Sequence, residues 1–62
     1  MKIEHLASRV RAEFLEMPGL RLTLSQAQRL WGLDPEVCRQ VVEFLIDRAI
    51  LRRRGSTISL AE

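Results

Sequence analysis

The sequence predicts a small, mainly α-helical domain closed by a short β-hairpin. Three observations carry that expectation. Apolar residues recur at three- and four-residue spacing in three separate stretches. A tight turn, Gly32-Leu33-Asp34, joins the second stretch to the third. Near the end, Gly55-Ser56 separates two short segments fit for strands. The 62 residues make one domain, 1–62, the only sensible count at this length. A chain this short buries only about 60% of its unfolded surface, so its stability is expected to be modest. Hydrophobic residues make up 47%, which argues for a folded globule rather than a disordered tail. The single cysteine cannot form an internal disulfide, so packing or a second subunit must hold the fold.

Residues 2–16 read as the first helix. Ile3, Leu6, Ala7, Val10 and Phe14 form its apolar stripe. Arg9 and Glu13, four apart on the polar side, are placed to pair. Met17-Pro18-Gly19 ends the helix, because proline disfavours helix in the residue before it. Leu20-Arg21-Leu22 alternates and is expected to add one edge to a small sheet.

Helices are then expected at about 24–32 and 35–48. Thr23 and Gln26 have the spacing of a capping box. Ala27, Leu30 and Trp31 are expected to share one buried face. Gly32 suits the left-handed end of a helix. Asp34 and Pro35 suit an N-cap and a first helical residue. Val37, Cys38, Val41, Val42, Leu45 and Ile46 supply the apolar residues of the third helix. Val37 and Phe44 lie beside its main stripe, where they either fill a second core wall or widen an exposed patch.

Leu51 to Leu60 reads as a hairpin with a glycine-first, two-residue turn. The register opposes Arg54 with Thr57, Arg53 with Ile58, Arg52 with Ser59 and Leu51 with Leu60. Leu51, Ile58 and Leu60 then face inward, and Arg53 shares their face with its head in water. Arg52 and Arg54 point outward. Ala61-Glu62 is expected to fray.

The order helix, strand, helix, helix, strand, strand resembles the winged-helix form of the helix-turn-helix, with the hairpin as wing. Its most specific part is Ala27 to Leu51, which is similar to bacterial transcriptional regulators of the GntR type. There a small residue opens a pattern matched here by Ala27, Leu30, Gly32, Leu33 and Asp34. Cys38, Arg39, Gln40, Val41 and Val42 match the next segment, and Leu45, Ile50 and Leu51 the last. Ala49 stands where the family has a helix-ending glycine, so the helix is expected to end differently. Pro35-Glu36 stands where these regulators commonly carry Ser, Thr or Arg near the bases. The resemblance implies a DNA-binding domain.

Net charge is +2, a weak pointer to nucleic acid by itself. Its distribution is more informative. Residues 34–51 carry two Arg and four acids, whereas 52–62 carry three Arg and one Glu. The winged-helix form would turn the third helix to the major groove. Glu36, Arg39 and Gln40 are its candidates for base contacts, since Arg suits guanine, Gln adenine and Glu cytosine. Arg52, Arg53 and Arg54 are candidates for phosphates, with Arg21 and Arg29 extending the patch. Ser25 and Gln28 lie near the start of a helix, where backbone N–H groups suit a phosphate. The competing readings are a solvated helix face and a charged edge strand that deters aggregation. On the DNA reading, helix and wing are expected to share one positive face.

Other chemistry has little footing. Cys38, on an apolar face, reads as a small hydrophobe rather than a redox sensor. His5 has no second ligand at metal spacing, so no metal or cofactor is expected. Trp31 either closes the core or anchors a partner. No nucleophile–His–acid set and no Gly-rich phosphate loop supports an enzyme. No apolar run approaches the roughly 20 residues of a membrane span. The start, Met1-Lys2-Ile3-Glu4-His5, lacks a signal-peptide core, and Met1 is read as the initiator of a whole protein. A cytoplasmic place is expected. The first functional reading is sequence-specific binding of double-stranded DNA in transcriptional control, with a homodimer on a two-fold site. The second is a winged-helix adaptor for a protein partner, favoured by the acidic lean of 34–51.

Overall fold

A computed structural model describes residues 3–61. Lys2, where the first helix is expected to begin, and Glu62, expected to fray, lie outside the described residues. The chain forms three helices and one three-stranded antiparallel sheet. In order these are α1 (Ile3–Glu16), β1 (Leu22–Thr23), α2 (Leu24–Trp31), α3 (Pro35–Asp47), β2 (Leu51–Arg54) and β3 (Thr57–Leu60). β3 is the central strand, with β1 on one side and β2 on the other.

The stripe of α1 is buried at Ala7, Val10 and Phe14, with Ile3 and Leu6 packed at its margin. The Arg9–Glu13 pair does not form, and the salt bridges among the described residues all belong to Arg39. An exposed pair of this kind gains little, because water screens it and holding two long side chains costs entropy. The short strand starts later than Leu20-Arg21-Leu22 suggested, at Leu22, because Leu22 and Thr23 are the residues that pair with Ile58 and Thr57.

Thr23 ends β1 and caps α2. Its Oγ1 accepts the Gln26 N–H at 3.2 Å, and its own N–H donates to Gln26 Oε1 at 2.9 Å. Ala27 is fully buried and Trp31 half-buried, but Leu30 is 56% exposed, against expectation. The reason is angular. At about 100° per residue, Leu24, Ala27 and Trp31 cluster on one side, and Leu30 is turned about 100° from Trp31. Phe14 meets Trp31 edge to face, with ring centroids 6.0 Å apart.

Gly32 ends α2 at φ 61°, and the N–H groups of Gly32 and Leu33 both donate to the Gln28 carbonyl. Asp34 then caps α3, its Oδ2 accepting the Glu36 N–H at 3.2 Å, with Pro35 in the first turn. Cys38, Val41, Val42 and Leu45 are buried against α1 and the sheet. Val37 and Phe44 pack at the margin of the core, so they fill a second wall. The Arg48 guanidinium covers the Phe44 ring, 4.3 Å from its centroid.

Ala49 was expected to change how α3 ends, and it does not. It adopts φ 62°, the only positive φ among the described non-glycine residues. Its N–H donates to Ile46 O and the Ile50 N–H to Leu45 O, both at 2.9 Å. That is the double bond pattern of a Schellman end, normally built on glycine. Burial of Leu51 next in the chain requires the reversal, so the alanine tolerates the strain.

The hairpin has the expected register throughout. Gly55 takes φ 59° and Ser56 has no positive φ, as a glycine-first turn requires. Leu51 and Ile58 are buried, and Leu60 is half-buried beside them. Ala61 is not free to fray, since its N–H donates to Ile50 O at 3.0 Å. Among the described residues no polar or charged residue is buried, so the core is held by apolar contact. No described helix is long and apolar enough to cross a membrane.

Ala49→Gly should therefore stabilise the domain by about 1 kcal/mol, the low end of the penalty for an L-residue in this conformation. In a domain this small the expected rise in Tm is about 4–8 °C by calorimetry. A lower Tm would show that the left-handed end stores no strain.

Candidate functional site

The exposed face of α3 carries Glu36, Arg39, Gln40 and Glu43. Helical spacing brings them together at three and four residues apart. Arg39 forks between two carboxylates: Nη2 donates to Glu36 Oε2 and Nη1 to Glu43 Oε2, the latter at 3.2 Å. Gln40 Nε2 also reaches Glu36 Oε2, at 3.5 Å. The hydrogen bond to Glu36, and then the charges of Glu36 and Glu43, push the Arg39 pKa further up. Arg39 is thus held charged, but its donors already have partners.

The hairpin arginines are all exposed, and they divide between two faces. Arg53 pairs with Ile58 on the core side. It borders a hollow of about 370 Å³ with Glu43, Ile46 and Asp47 of α3. It also borders one of about 490 Å³ with Ser25, at the start of α2, and Ser56. Arg52 and Arg54 lie on the opposite face, beside Ser59 and Thr57. There they share a hollow of about 520 Å³ with Arg21, and no acidic residue among the described residues lines it.

The eight residues singled out from sequence therefore fall into separate groups. Glu36, Arg39 and Gln40 form one cluster on α3. Ser25 and Arg53 border one hollow beside the hairpin turn. Arg52 and Arg54 join Arg21. Gln28 stands apart, half-buried, with its carbonyl closing α2. Arg29 is exposed on α2 and does not line the arginine hollow. The arginines of helix and hairpin do not form one continuous positive face, because Arg52 and Arg54 project from the side of the sheet opposite Arg53. The acidic fork around Arg39 was missed in the sequence, although Glu36, Arg39 and Glu43 already had pairing distances.

A second surface lies between α1 and α2. Leu6, Val10, Leu30, Trp31 and Leu33 line a groove of about 460 Å³, flanked by Arg9 and Glu13. Trp31 Nε1 is buried there without a hydrogen-bond partner. Such a donor costs stability, because it has given up water and gained nothing in exchange. Trp31 is therefore a core-edge residue that also walls an exposed groove.

Among the described residues, no group of three or more His, Cys, Asp or Glu could hold a metal. Cys38 is fully buried, and burial pushes its thiol pKa up. The neutral thiol is then favoured by folding. Its contribution is intact below the ordinary thiol pKa and is lost as pH climbs through the raised value. Cys38 should resist alkylation in the native protein and react fully after unfolding in guanidinium. Fast labelling of the native chain, followed by mass spectrometry, would contradict this burial.

Compared with known protein families, characterised proteins and solved structures, the chain has no match.

Proposed function

We propose that this chain is a winged-helix domain that binds duplex DNA in transcriptional control, with α3 turned to the major groove and the β2–β3 hairpin as the wing. The element order and the tight turn between α2 and α3 support the architecture. Similarity of Ala27 to Leu51 to GntR-type regulators supports the role. One observation carries the binding. Arg52, Arg53 and Arg54 are all exposed, and none makes a salt bridge among the described residues. Unpaired guanidinium groups on a protruding hairpin suit phosphate oxygens.

On this reading α3 contributes selectivity more than affinity. Arg39 must leave Glu36 and Glu43 before it meets a guanine edge, and both acids repel phosphate. A single copy offers few contacts, so a homodimer on a two-fold site is part of the proposal. The second reading is a winged-helix adaptor for a protein partner. The exposed Leu30 beside the α1–α2 groove favours it.

Fluorescence anisotropy with a mixed-sequence duplex at two salt concentrations separates the readings. DNA binding predicts affinity that falls steeply as salt rises. Arg52→Ala with Arg54→Ala should weaken it about tenfold or more at low salt, through two lost phosphate contacts. No binding at low salt would leave the adaptor reading alone. Glu36→Gln with Glu43→Gln should tighten binding several-fold by releasing Arg39 and removing two negative charges. Unchanged affinity in that variant would place α3 away from the DNA.

A further inference from the structure

We propose that the outer face of the sheet is a phosphate-tracking surface in its own right, built by Arg21, Arg52 and Arg54 for the backbone of a paired nucleic acid. This rests on the DNA-binding reading and locates its main electrostatic contact, away from α3 and with a residue outside the hairpin.

Strand pairing sets out the surface. Arg54 is opposite Thr57, and Thr57 is opposite Thr23. Arg52 is opposite Ser59 in the next row on the same face. Arg21 immediately precedes β1 and lines the same hollow of about 520 Å³. The arginines thus reach the hollow from both sides of β3, whose Thr57 and Ser59 lie in its floor.

The cluster is unfavourable by itself. Like charges brought together across a sheet oppose folding. Among the described residues, none of the three arginines has a salt-bridge partner and no carboxylate lines the hollow. Charge on the edge strand β2 also deters aggregation, but that role does not call for Arg21 and the β2 arginines to border one hollow. Here arginines from both edges of the sheet border one hollow beside β3.

The arrangement also selects the anion. Arg52 and Arg54 are two residues apart on an extended strand, about 6.7 Å at the usual rise. That spacing is comparable to neighbouring phosphates on one nucleic-acid strand. The hydroxyls of Thr57 and Ser59 add neutral donors, which are common partners of phosphate oxygens. No aromatic residue lines the hollow, so it offers no platform for stacking unpaired bases. A paired nucleic acid, with its bases hidden and its backbone outward, is the fitting occupant.

The test measures affinity for a 20-bp mixed-sequence duplex across a salt series, with the single strand and polyglutamate as competitors. Circular dichroism confirms that each variant folds. Arg21→Gln should flatten the slope of log affinity against log salt by about 0.9, the value of one lost phosphate contact. The triple Arg21→Gln, Arg52→Gln, Arg54→Gln variant should flatten it by nearly three times as much, equally on two unrelated sequences. Arg21→Lys should keep the slope, and Arg11→Gln, exposed on α1, should leave it unchanged. If the wild type binds duplex and Arg21→Gln changes nothing, the surface is wrong and the DNA reading stands. If the wild type does not bind duplex at low salt, both fail. Competition by polyglutamate or single strand as strong as by duplex would overturn the choice of occupant.

Discussion

Burial of one side of α3 is the constraint on which the structure depends. Cys38, Val41, Val42 and Leu45 are almost fully enclosed, and α1, α2 and β2 all pack against that helix. A chain of 62 residues has no disulfide and, among the described residues, no buried polar network to share the task. Apolar contact must therefore be continuous from Phe14 through Leu45 to Leu51 and Ile58. Once that side is buried, the opposite face of α3 has one position available, in solvent. Two reversals keep the helix in place. Gly32 delivers the chain into it and Ala49 delivers it out, both with a left-handed residue.

Charge follows from the same packing. The side of α3 that cannot be buried collects Glu36, Arg39 and Glu43, which satisfy one another locally. The sheet has no such option. Its inner face is occupied by Leu51 and Ile58, so Arg52 and Arg54 must project from the outer face. Helix geometry allows opposite charges three and four apart to pair. Strand geometry places residues of one segment with the same sign side by side. The protein thus has a helix face where two carboxylates outnumber their one arginine and a sheet face whose arginines make no ion pair among the described residues, which is why the proposal puts the electrostatic weight on the sheet.

Much of the fold was legible in the sequence, for identifiable reasons. The capping box at Thr23 and Gln26, the Gly32 end and the Asp34-Pro35 start are local signals, read within a few residues. The hairpin register was legible because a two-residue turn and a period of two admit few alternatives. The errors arose where local preference met a longer-range demand. Ala49 disfavours the conformation it adopts, but burial of Leu51 overrides the preference. Leu30 looked like part of the α2 stripe, yet two turns of helix present only Leu24, Ala27 and Trp31 to the core. The Arg39 fork was a local signal overlooked.

Sequence alone determined the elements, the caps at Thr23, Gly32 and Asp34, the hairpin register and the exposure of the hairpin arginines, because each depends on neighbours a few positions apart. Tertiary structure decided which charges stand together. Arg21 and Arg54 are far apart in the chain, and they border one hollow because β1 and β2 both pair with β3. Arg53, adjacent to both its neighbours in sequence, is separated from them by the sheet itself. Side-chain alternation divides consecutive residues between faces, and only strand order brings distant ones onto the same face.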